Sequence, residues 1–276
     1  MTSQPRITLN DGRNIPQIGL GVFKVADDEA AAVVRTALGA GYRHIDTAAI
    51  YRNEAGVGEG LRTSGLARED VFVTTKVWNE DQGFDATLRA ADASLKRLGL
   101  AYVDLYLVHW PSPHRGLYRE TWKALVRLKE EGKVRSIGVS NFGPSHLAEV
   151  IDDTGVVPVL NQIELHPAFQ QKTLRAAHTK YGIVTESWSP LGQGQILADA
   201  TLVKIAAKHQ RSVAQVIIRW HIQSGFVVIP KSANSQRIAE NFDVFGFALD
   251  EADMRAIAGM DSADGRIGPD PLTATF

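Results

Sequence analysis

The chain has 276 residues, of which 44% are hydrophobic and 22% charged, and this composition excludes disorder as the dominant state. Its 30 basic and 31 acidic side chains give a net charge of −1, which argues against nucleic acid or an anionic membrane as the main partner, because both favour a basic excess. The absence of cysteine excludes disulfides, thiolate metal sites and cysteine nucleophiles, and is consistent with a reducing compartment.

Short runs of β-branched and apolar residues recur along the chain, and each is followed by a stretch rich in Ala and Leu. A β-hairpin is predicted first, from residues 6–9 through Asp11-Gly12 to residues 14–15. Eight further strands are predicted at residues 18–20, 44–46, 71–76, 103–108, 136–140, 160–163, 184–187 and 227–230. Helices are predicted at residues 27–40, 53–64, 84–98, 118–131, 144–152, 172–181, 201–209, 213–224 and 235–242.

The order of these elements predicts the fold class. Continuous apolar strands such as residues 103–108 indicate a parallel sheet buried on both faces. Eight strand–helix units in roughly 250 residues predict an α/β fold, a single-domain (β/α)₈ TIM barrel spanning residues 1–276. A helix at residues 250–258 and a tail at residues 264–276 are expected after the eighth unit. A doubly wound open sheet is the alternative, but no glycine-rich turn follows residues 18–20.

The sequence also bears on where the protein is found. Residues 1–12 lack a cationic start followed by an apolar run, so no signal peptide is predicted. No apolar stretch approaches the ~20 residues that a membrane-spanning helix needs. We therefore expect a soluble, cytoplasmic protein, and we expect it to be a monomer.

Polar residues gather where the predicted strands end. In TIM barrels the active site forms at the C-terminal ends of the strands. For any single residue a solvated loop position is the simpler interpretation, but a full set at one face indicates a site. The residues at these ends are Asp46, Lys76, His109, Ser140, Asn141, Gln162, Ser187, Trp188, Ser189, Lys231 and Ser232.

Tyr51 lies in the loop that follows Asp46, and Lys76 and His109 end the next two strands. A nearby cation favours a phenolate and lowers the pKa of a tyrosine, and an aspartate beside the lysine would keep that lysine charged. Such a phenol is a suitable proton donor for a carbonyl that becomes an alkoxide. His109 could steer the carbonyl or share the proton. Spacing alone leaves open that Tyr51 and Lys76 are unconnected.

Six segments in order along the chain carry a family resemblance: 41–48 (GYRHIDTA), 74–78 (TTKVW), 104–111 (DLYLVHWP), 137–142 (IGVSNF), 161–167 (NQIELHP) and 228–232 (VIPKS). Together they make the chain resemble the aldo-keto reductases, most closely the prokaryotic 2,5-diketo-D-gluconate reductase branch, over residues 9 to about 261. The resemblance assigns the family's catalytic tetrad to Asp46, Tyr51, Lys76 and His109.

This resemblance implies an NADPH-dependent, metal-independent reductase whose partner is a small carbonyl substrate. Aldehydes and activated ketones, such as 2,5-diketo-D-gluconate or methylglyoxal-like dicarbonyls, would be reduced to alcohols with Tyr51 as the general acid. NADPH (NADP⁺) is the expected cofactor, with NADH possible but weaker. Asn234 stands where close relatives often carry a second arginine, so we expect a moderate preference.

The resemblance also implies cofactor contacts, although no good G-x-G-x-x-G motif is present. Ser140, Asn141 and Gln162 would hold the nicotinamide amide, and Trp188 would stack on its ring. The other implied contacts are Ser189, Leu191 and Gln193 at the pyrophosphate, Lys231, Ser232 and Arg237 at the adenosine 2′-phosphate, and Glu240 and Asn241 near the adenine.

Aromatic and apolar residues beside the tetrad predict the substrate pocket. These are Phe23, Ile50, Trp78 and Trp110, together with His109. The tail after Gly265 is a further candidate. His44, His166 and His221 are interpreted as structural, and no metal site is predicted from their spacing.

Two other functions fit parts of the pattern. Lys76 at a strand end would suit a lyase that forms a Schiff base. A non-enzymatic NADPH-binding subunit or sensor is the second alternative, and the intact tetrad argues against it.

Overall fold

The structure, a computed structural model, describes residues 4–276. An antiparallel hairpin comes first and consists of β1 (Arg6–Thr8) and β2 (Asn14–Pro16), with Ile7 opposite Ile15. Eight parallel strands follow: β3 (Leu20–Gly21), β4 (His44–Asp46), β5 (Phe72–Val77), β6 (Val103–Val108), β7 (Val134–Ser140), β8 (Leu160–Glu164), β9 (Val184–Trp188) and β10 (Val227–Val228).

The helices agree closely with the sequence prediction, and those at residues 27–40, 84–98, 172–181 and 235–242 have the predicted bounds. Among residues 4–276 no helix is both long and apolar enough to cross a membrane. The helices are α1 (Asp27–Ala40), α2 (Glu54–Arg62), α3 (Phe84–Leu98), α4 (Tyr118–Glu130), α5 (Pro144–Thr154), α6 (Lys172–Tyr181), α7 (Ala200–His209), α8 (Val213–Gln223), α9 (Ser235–Phe242) and α10 (Glu251–Ala258).

The eight parallel strands pair in chain order from β3 to β10. Two parallel bridges, Ile18 with Val228 and Gly21 with Lys231, join the first strand region to the last. The sheet therefore closes on itself, which confirms the predicted TIM barrel. The doubly wound alternative is wrong, because an open sheet would leave β3 and β10 as unpaired edges.

The hairpin covers the N-terminal ends of the strands. Ile15 is fully buried and belongs to the same apolar cluster as Leu105, Leu107 and Leu160 inside the barrel. Asn10 Nδ2 donates to Pro158 O, just before β8, at 3.1 Å. With this end covered, the C-terminal ends of the strands form the accessible mouth of the barrel.

The tail after α10 crosses this mouth and is fixed there by Glu164 at the end of β8. The buried Glu164 carboxylate accepts hydrogen bonds from Ile267 N at 2.6 Å and Gly268 N at 2.9 Å. A Cβ atom on Gly268 would lie 2.4 Å from the Trp188 ring. Glycine at this position therefore lets the tail backbone lie directly on the indole.

Candidate active site

A cavity of about 350 Å³ opens at the C-terminal ends of the strands. Its wall brings together residues from β3, β4, β7, β8 and β9 and from the loops that follow other strands, including β5, β6 and β10. The sequence-predicted site residues that line it are Phe23, Asp46, Ile50, Tyr51, Trp78, His109, Trp110, Ser140, Asn141, Gln162, Trp188, Ser189, Gln193 and Lys231.

Seven sequence-predicted residues do not line this cavity, and one of them, Ser187, is buried and hydrogen-bonded to His221. Lys76 lies beneath its floor and is fully buried. Leu191 packs against the apolar core. Ser232, Arg237, Glu240 and Asn241 belong to the loop after β10 and to α9, which continue outward from Lys231 at the cavity edge.

The buried ammonium group of Lys76 is the electrostatic centre of the site. Lys76 Nζ donates to Asp46 Oδ1 at 2.6 Å and to Thr47 O at 2.9 Å. Burial alone would lower the pKa of Lys76, but Asp46 and Tyr51 outweigh it and the pKa is raised. The amine is therefore charged at neutral pH, as the sequence predicted from the aspartate.

Tyr51 ends a short 3₁₀ turn, Ala49–Tyr51, that follows β4. The centre of its ring lies 5.1 Å from Lys76 Nζ. Burial raises the pKa of Tyr51, and the charge on Lys76 offsets this rise only in part. The expectation of a lowered tyrosine pKa is therefore wrong in its net direction. Burial destabilises the phenolate more than the single cation of Lys76 stabilises it.

His109 faces Tyr51 edge to face, with 5.7 Å between the ring centres. Burial, and then Lys76, lowers the pKa of His109 well below its ordinary value. The imidazole is therefore neutral at neutral pH and has one N–H to donate. Tyr51 and His109 thus present a protonated phenol and a neutral imidazole to the same cavity.

A hydrogen-bonded row of polar side chains continues along the wall. Asn141 Nδ2 donates to His109 O at 3.0 Å and to Ser140 Oγ at 3.1 Å. Trp188 Nε1 donates to Asn141 Oδ1 at 2.9 Å. Asn141 has a left-handed backbone, with φ of 64°, a conformation that asparagine tolerates better than most residues. These contacts fix the indole of Trp188 against the cavity.

The loop after β10 is organised by its own side chains. Asn234 N donates to Ser232 Oγ at 3.1 Å. Asn234 Oδ1 accepts from Arg237 N at 2.9 Å, so Asn234 is the N-cap of α9. Lys231 and Arg237 are exposed on either side of this cap. Two cations therefore stand next to a helix N-terminus, an arrangement that favours anions.

The outer wall of the cavity is aromatic. Trp78 stacks on Phe276 with ring centres 5.9 Å apart, and Trp110 meets Phe276 edge-on at 5.0 Å. Asn79 Nδ2 donates to Phe276 O at 2.9 Å and fixes this part of the tail. Phe23 packs on Tyr51 with ring centres 5.0 Å apart. The sequence indicated the tail without identifying Phe276, Gly268 or Pro269, which also line the cavity.

Sequence reasoning missed Glu186, a fully buried carboxyl on β9 below the cavity. Its only signal was one acidic residue inside the predicted strand at residues 184–187. Burial, and then the neighbouring Asp46, raises the pKa of Glu186 to about 8. Glu186 Oε1 lies 3.9 Å from Nε2 of the buried His44.

The position of Lys76 argues against a Schiff-base lyase. Its amine is fully buried and charged, and it is engaged by Asp46 and Thr47. A Schiff base requires an uncharged amine that reaches the substrate carbonyl. No group of three or more His, Cys, Asp or Glu side chains within residues 4–276 is arranged to hold a metal ion.

The family model described as "Aldo/keto reductase family" matches residues 17–262. The chain belongs to the aldo/keto reductase family. An aldo-keto reductase of Mycolicibacterium smegmatis is 56% identical over 272 residues, covering 99% of this chain and 98% of the relative. This aldo/keto reductase is also 52% identical to the glyoxal reductase of Bacillus subtilis over 271 residues, covering 98% and 97% of the two chains.

The solved structures agree with the sequence relatives. The structure of a Gox0644 mutant in complex with NADPH has a TM-score of 0.96 and 56% identity to this aldo/keto reductase, covering 99% of each chain. The resemblance drawn from the six sequence segments is thereby confirmed at the level of the family. The chain is an enzyme of the oxidoreductase class, which excludes the non-enzymatic sensor as its main identity.

Proposed function

We propose that this aldo/keto reductase reduces aldehydes and activated ketones to alcohols with NADPH, and that Tyr51 is the general acid. The observation that carries the proposal is that the charged, buried Lys76 lies beneath Tyr51, and that Tyr51 faces neutral His109 in one cavity. The glyoxal reductase relative supports a carbonyl substrate, and the NADPH complex of the Gox0644 mutant supports the cofactor.

The residues at the cavity fit a nicotinamide cofactor. Gln162 reaches the cavity with an amide, Trp188 offers a ring face, and Ser140 and Asn141 lie between them. Lys231 and Arg237 beside the N-terminus of α9 would receive a 2′-phosphate. When bound here, NADPH supplies the hydride that reduces the carbonyl carbon.

The side chains at and below the cavity floor control proton transfer to the substrate. Tyr51 keeps its proton at neutral pH because burial raises its pKa. As the carbonyl oxygen of the substrate gains negative charge, Tyr51 Oη donates that proton to it, and the cation of Lys76 stabilises the phenolate that forms. Asp46 holds Lys76 in place and keeps it charged. His109, being neutral, orients the carbonyl oxygen through its N–H.

Phe23, Ile50, Trp78 and Trp110 would contact the substrate, with Phe276 from the tail completing the wall. This wall carries no charged side chain, which favours uncharged aldehydes and dicarbonyls. We place the glyoxal and methylglyoxal class first and 2,5-diketo-D-gluconate second for this reason. A single domain over residues 1–276, a monomeric state and a cytoplasmic location stay predictions.

The cofactor preference is expected to be moderate. Asn234 uses the backbone N–H of Arg237 for its cap, so that donor is not available to a phosphate. Lys231 and Arg237 then provide the principal charged contacts, with Ser232 beside them. NADH, which has no 2′-phosphate, would bind more weakly.

The test is a substrate panel assayed by the loss of NADPH absorbance. Methylglyoxal, phenylglyoxal, benzaldehyde and 2,5-diketo-D-gluconate would be compared with both NADPH and NADH. We expect turnover with the dicarbonyls and NADPH, and a fall of ~10²–10⁴-fold in Tyr51→Phe. Turnover by Tyr51→Phe at the wild-type rate, or no reduction of any panel member, would refute the proposal.

A further inference from the structure

The amide of Gln162 is held from below by two carboxyl groups. Gln162 Nε2 donates to Asp46 Oδ2 at 2.8 Å and to Glu186 Oε2 at 2.7 Å. A primary amide has two N–H hydrogens, so both are used beneath the cavity floor. Within residues 4–276 no donor contacts Gln162 Oε1. That acceptor is therefore the atom that Gln162 can offer to the cavity it lines.

These two carboxyl groups determine which way the amide faces. Turning it over would place Oε1 against Asp46 Oδ2, so that two acceptors would face each other, and would leave Glu186 Oε2 without the N–H that it accepts. A buried acceptor without a donor loses the free energy of its hydration, so the turned orientation is disfavoured. Asp46 also binds Lys76 through its other oxygen. The side chain of Glu186 makes its only hydrogen bond, among the described residues, to Gln162.

The strand register brings Glu186 to this position. Gln162 on β8 and Glu186 on β9 are paired neighbours in the parallel sheet, and both side chains are buried. Because its pKa is raised to about 8, Glu186 is mainly protonated at neutral pH and accepts through a carbonyl oxygen without adding charge. It can therefore orient the amide while leaving the Asp46–Lys76 pair undisturbed.

We propose that Glu186 is a positioning residue that, with Asp46, holds Gln162 so that Oε1 faces the cavity and accepts the carboxamide N–H of a nicotinamide. This inference rests on the proposed function, since it needs a nicotinamide at Gln162. It assigns to Glu186 a role in cofactor recognition without direct contact with the cofactor. The role predicts discrimination between a carboxamide, which has N–H donors, and a carboxylate, which has none.

The experiment compares three ligands on wild type, Glu186→Leu and Glu186→Gln. The ligands are NADP⁺, its nicotinic acid analogue and adenosine 2′,5′-bisphosphate, with dissociation constants from quenching of tryptophan fluorescence. The analogue differs only in carrying a carboxylate in place of the carboxamide. The bisphosphate lacks the nicotinamide, so its binding reports only on the loop after β10 and on whether the protein is folded.

We expect wild type to prefer NADP⁺ to the analogue and Glu186→Leu to reduce that preference by about tenfold, the effect of about one hydrogen bond. Glu186→Gln retains an acceptor oxygen and should stay within about twofold of wild type. Binding of the bisphosphate should be the same in all three proteins. Should Glu186→Leu fail to fold, Glu186→Met provides an unbranched apolar replacement for the same comparison.

Unchanged preference for NADP⁺ in the apolar variant would overturn the role of Glu186, and so would equal weakening of all three ligands. Failure of wild type to bind NADP⁺ would instead refute the proposed function. The two failures are therefore distinguishable in one set of titrations.

Discussion

Lys76 Nζ lies 5.1 Å from the ring centre of Tyr51 while the same ammonium group is bound to Asp46. The cation is thus fixed by a carboxylate on one side and directed at a phenol on the other. Burial raises the pKa of that phenol and the cation opposes the rise. The balance leaves Tyr51 protonated at neutral pH, next to a charge that stabilises its conjugate base.

Tyr51→Phe removes the proton donor and keeps the ring. Since removal of a general acid typically costs ~10²–10⁴-fold in rate, turnover should fall by that factor. The affinity for NADPH should change little, because the packing of the ring on Phe23 and His109 is retained. Steady-state turnover and a fluorescence titration of NADPH measure the two effects, and near-normal turnover would contradict the role of Tyr51.

Lys76→Met removes the cation that opposes the effect of burial on Tyr51. The pKa of Tyr51 should then rise further, and reduction needs the protonated phenol. The alkaline limb of the rate profile should therefore move to higher pH or leave the accessible range, at lower turnover because the phenolate is no longer stabilised. The profile of kcat/KM against pH is the measurement, and an alkaline limb at the wild-type pH would show that the two groups are not coupled.

Arg237→Ala tests the assignment of the loop after β10. A hydrogen bond to a charged group contributes about 1.5–3 kcal/mol, so NADPH should bind roughly 10- to 150-fold more weakly. NADH binding should barely change, and the preference between the two cofactors should narrow. Arg89→Ala, an exposed arginine on α3, is the matched control and should affect neither cofactor. Equal weakening of NADPH and NADH binding would show that Arg237 does not bind the 2′-phosphate.

Phe276→Ala should widen the substrate cavity on its aromatic side. The ring lies against Trp78 and Trp110, so its loss leaves space there and removes apolar contact with small substrates. The ratio of kcat/KM for a bulky aromatic aldehyde to that for methylglyoxal should rise by about 3- to 30-fold. Leu272→Ala, an exposed tail residue outside this cavity, serves as the control. If both variants kept the wild-type ratio, Phe276 would have no part in selecting substrates.

Glu186→Gln should change how stability depends on pH. The pKa of Glu186 is about 4.5 in the unfolded chain, and burial, then the neighbouring Asp46, raises it to about 8 in the folded protein, where Lys76 and His44 also face the carboxyl group. Between these two pH values the folded state holds a proton that the unfolded state releases. The contribution of Glu186 to the free energy of unfolding is therefore fully present below about pH 4.5 and is lost as the pH rises to about 8.

Urea denaturation of both proteins measures this loss. Between about pH 5 and pH 8 the free energy of unfolding of wild type should fall relative to that of Glu186→Gln by on the order of 2–5 kcal/mol. Parallel pH profiles for the two proteins would show that Glu186 is already ionised in the folded state.

The sequence predicted most of the fold because the pattern of buried strands is local. Residues 103–108 are predicted and observed as the same strand, and four helices have the predicted bounds. The strands between which the barrel closes, β3 and β10, are less well predicted. For example, β3 was expected at residues 18–20 and is observed at Leu20–Gly21. Pairing there depends on a partner more than two hundred residues away, which no local pattern reveals.

The candidate site was predicted where strand ends carry polar groups, and less well where it depends on environment. The direction of the Tyr51 pKa was predicted wrongly, because the extent of burial cannot be seen from a neighbouring lysine. Glu186 was not predicted as a site residue, because nothing near it in the linear sequence indicates a partner. In the barrel its carboxyl group accepts a hydrogen bond from Gln162 on the adjacent strand.

The seam that joins Gly21 to Lys231 makes the barrel and the cavity interdependent, because both residues belong to the cavity wall. Neither end of the chain can form this wall before the other has arrived, so a folding intermediate with an open sheet has no complete site. Hydrogen exchange at Gly21 N, which donates to Pro230 O at 3.2 Å, would therefore report when the site is assembled during folding. Substitutions that loosen the seam should reduce activity and the cooperativity of unfolding together, even where they touch no catalytic group.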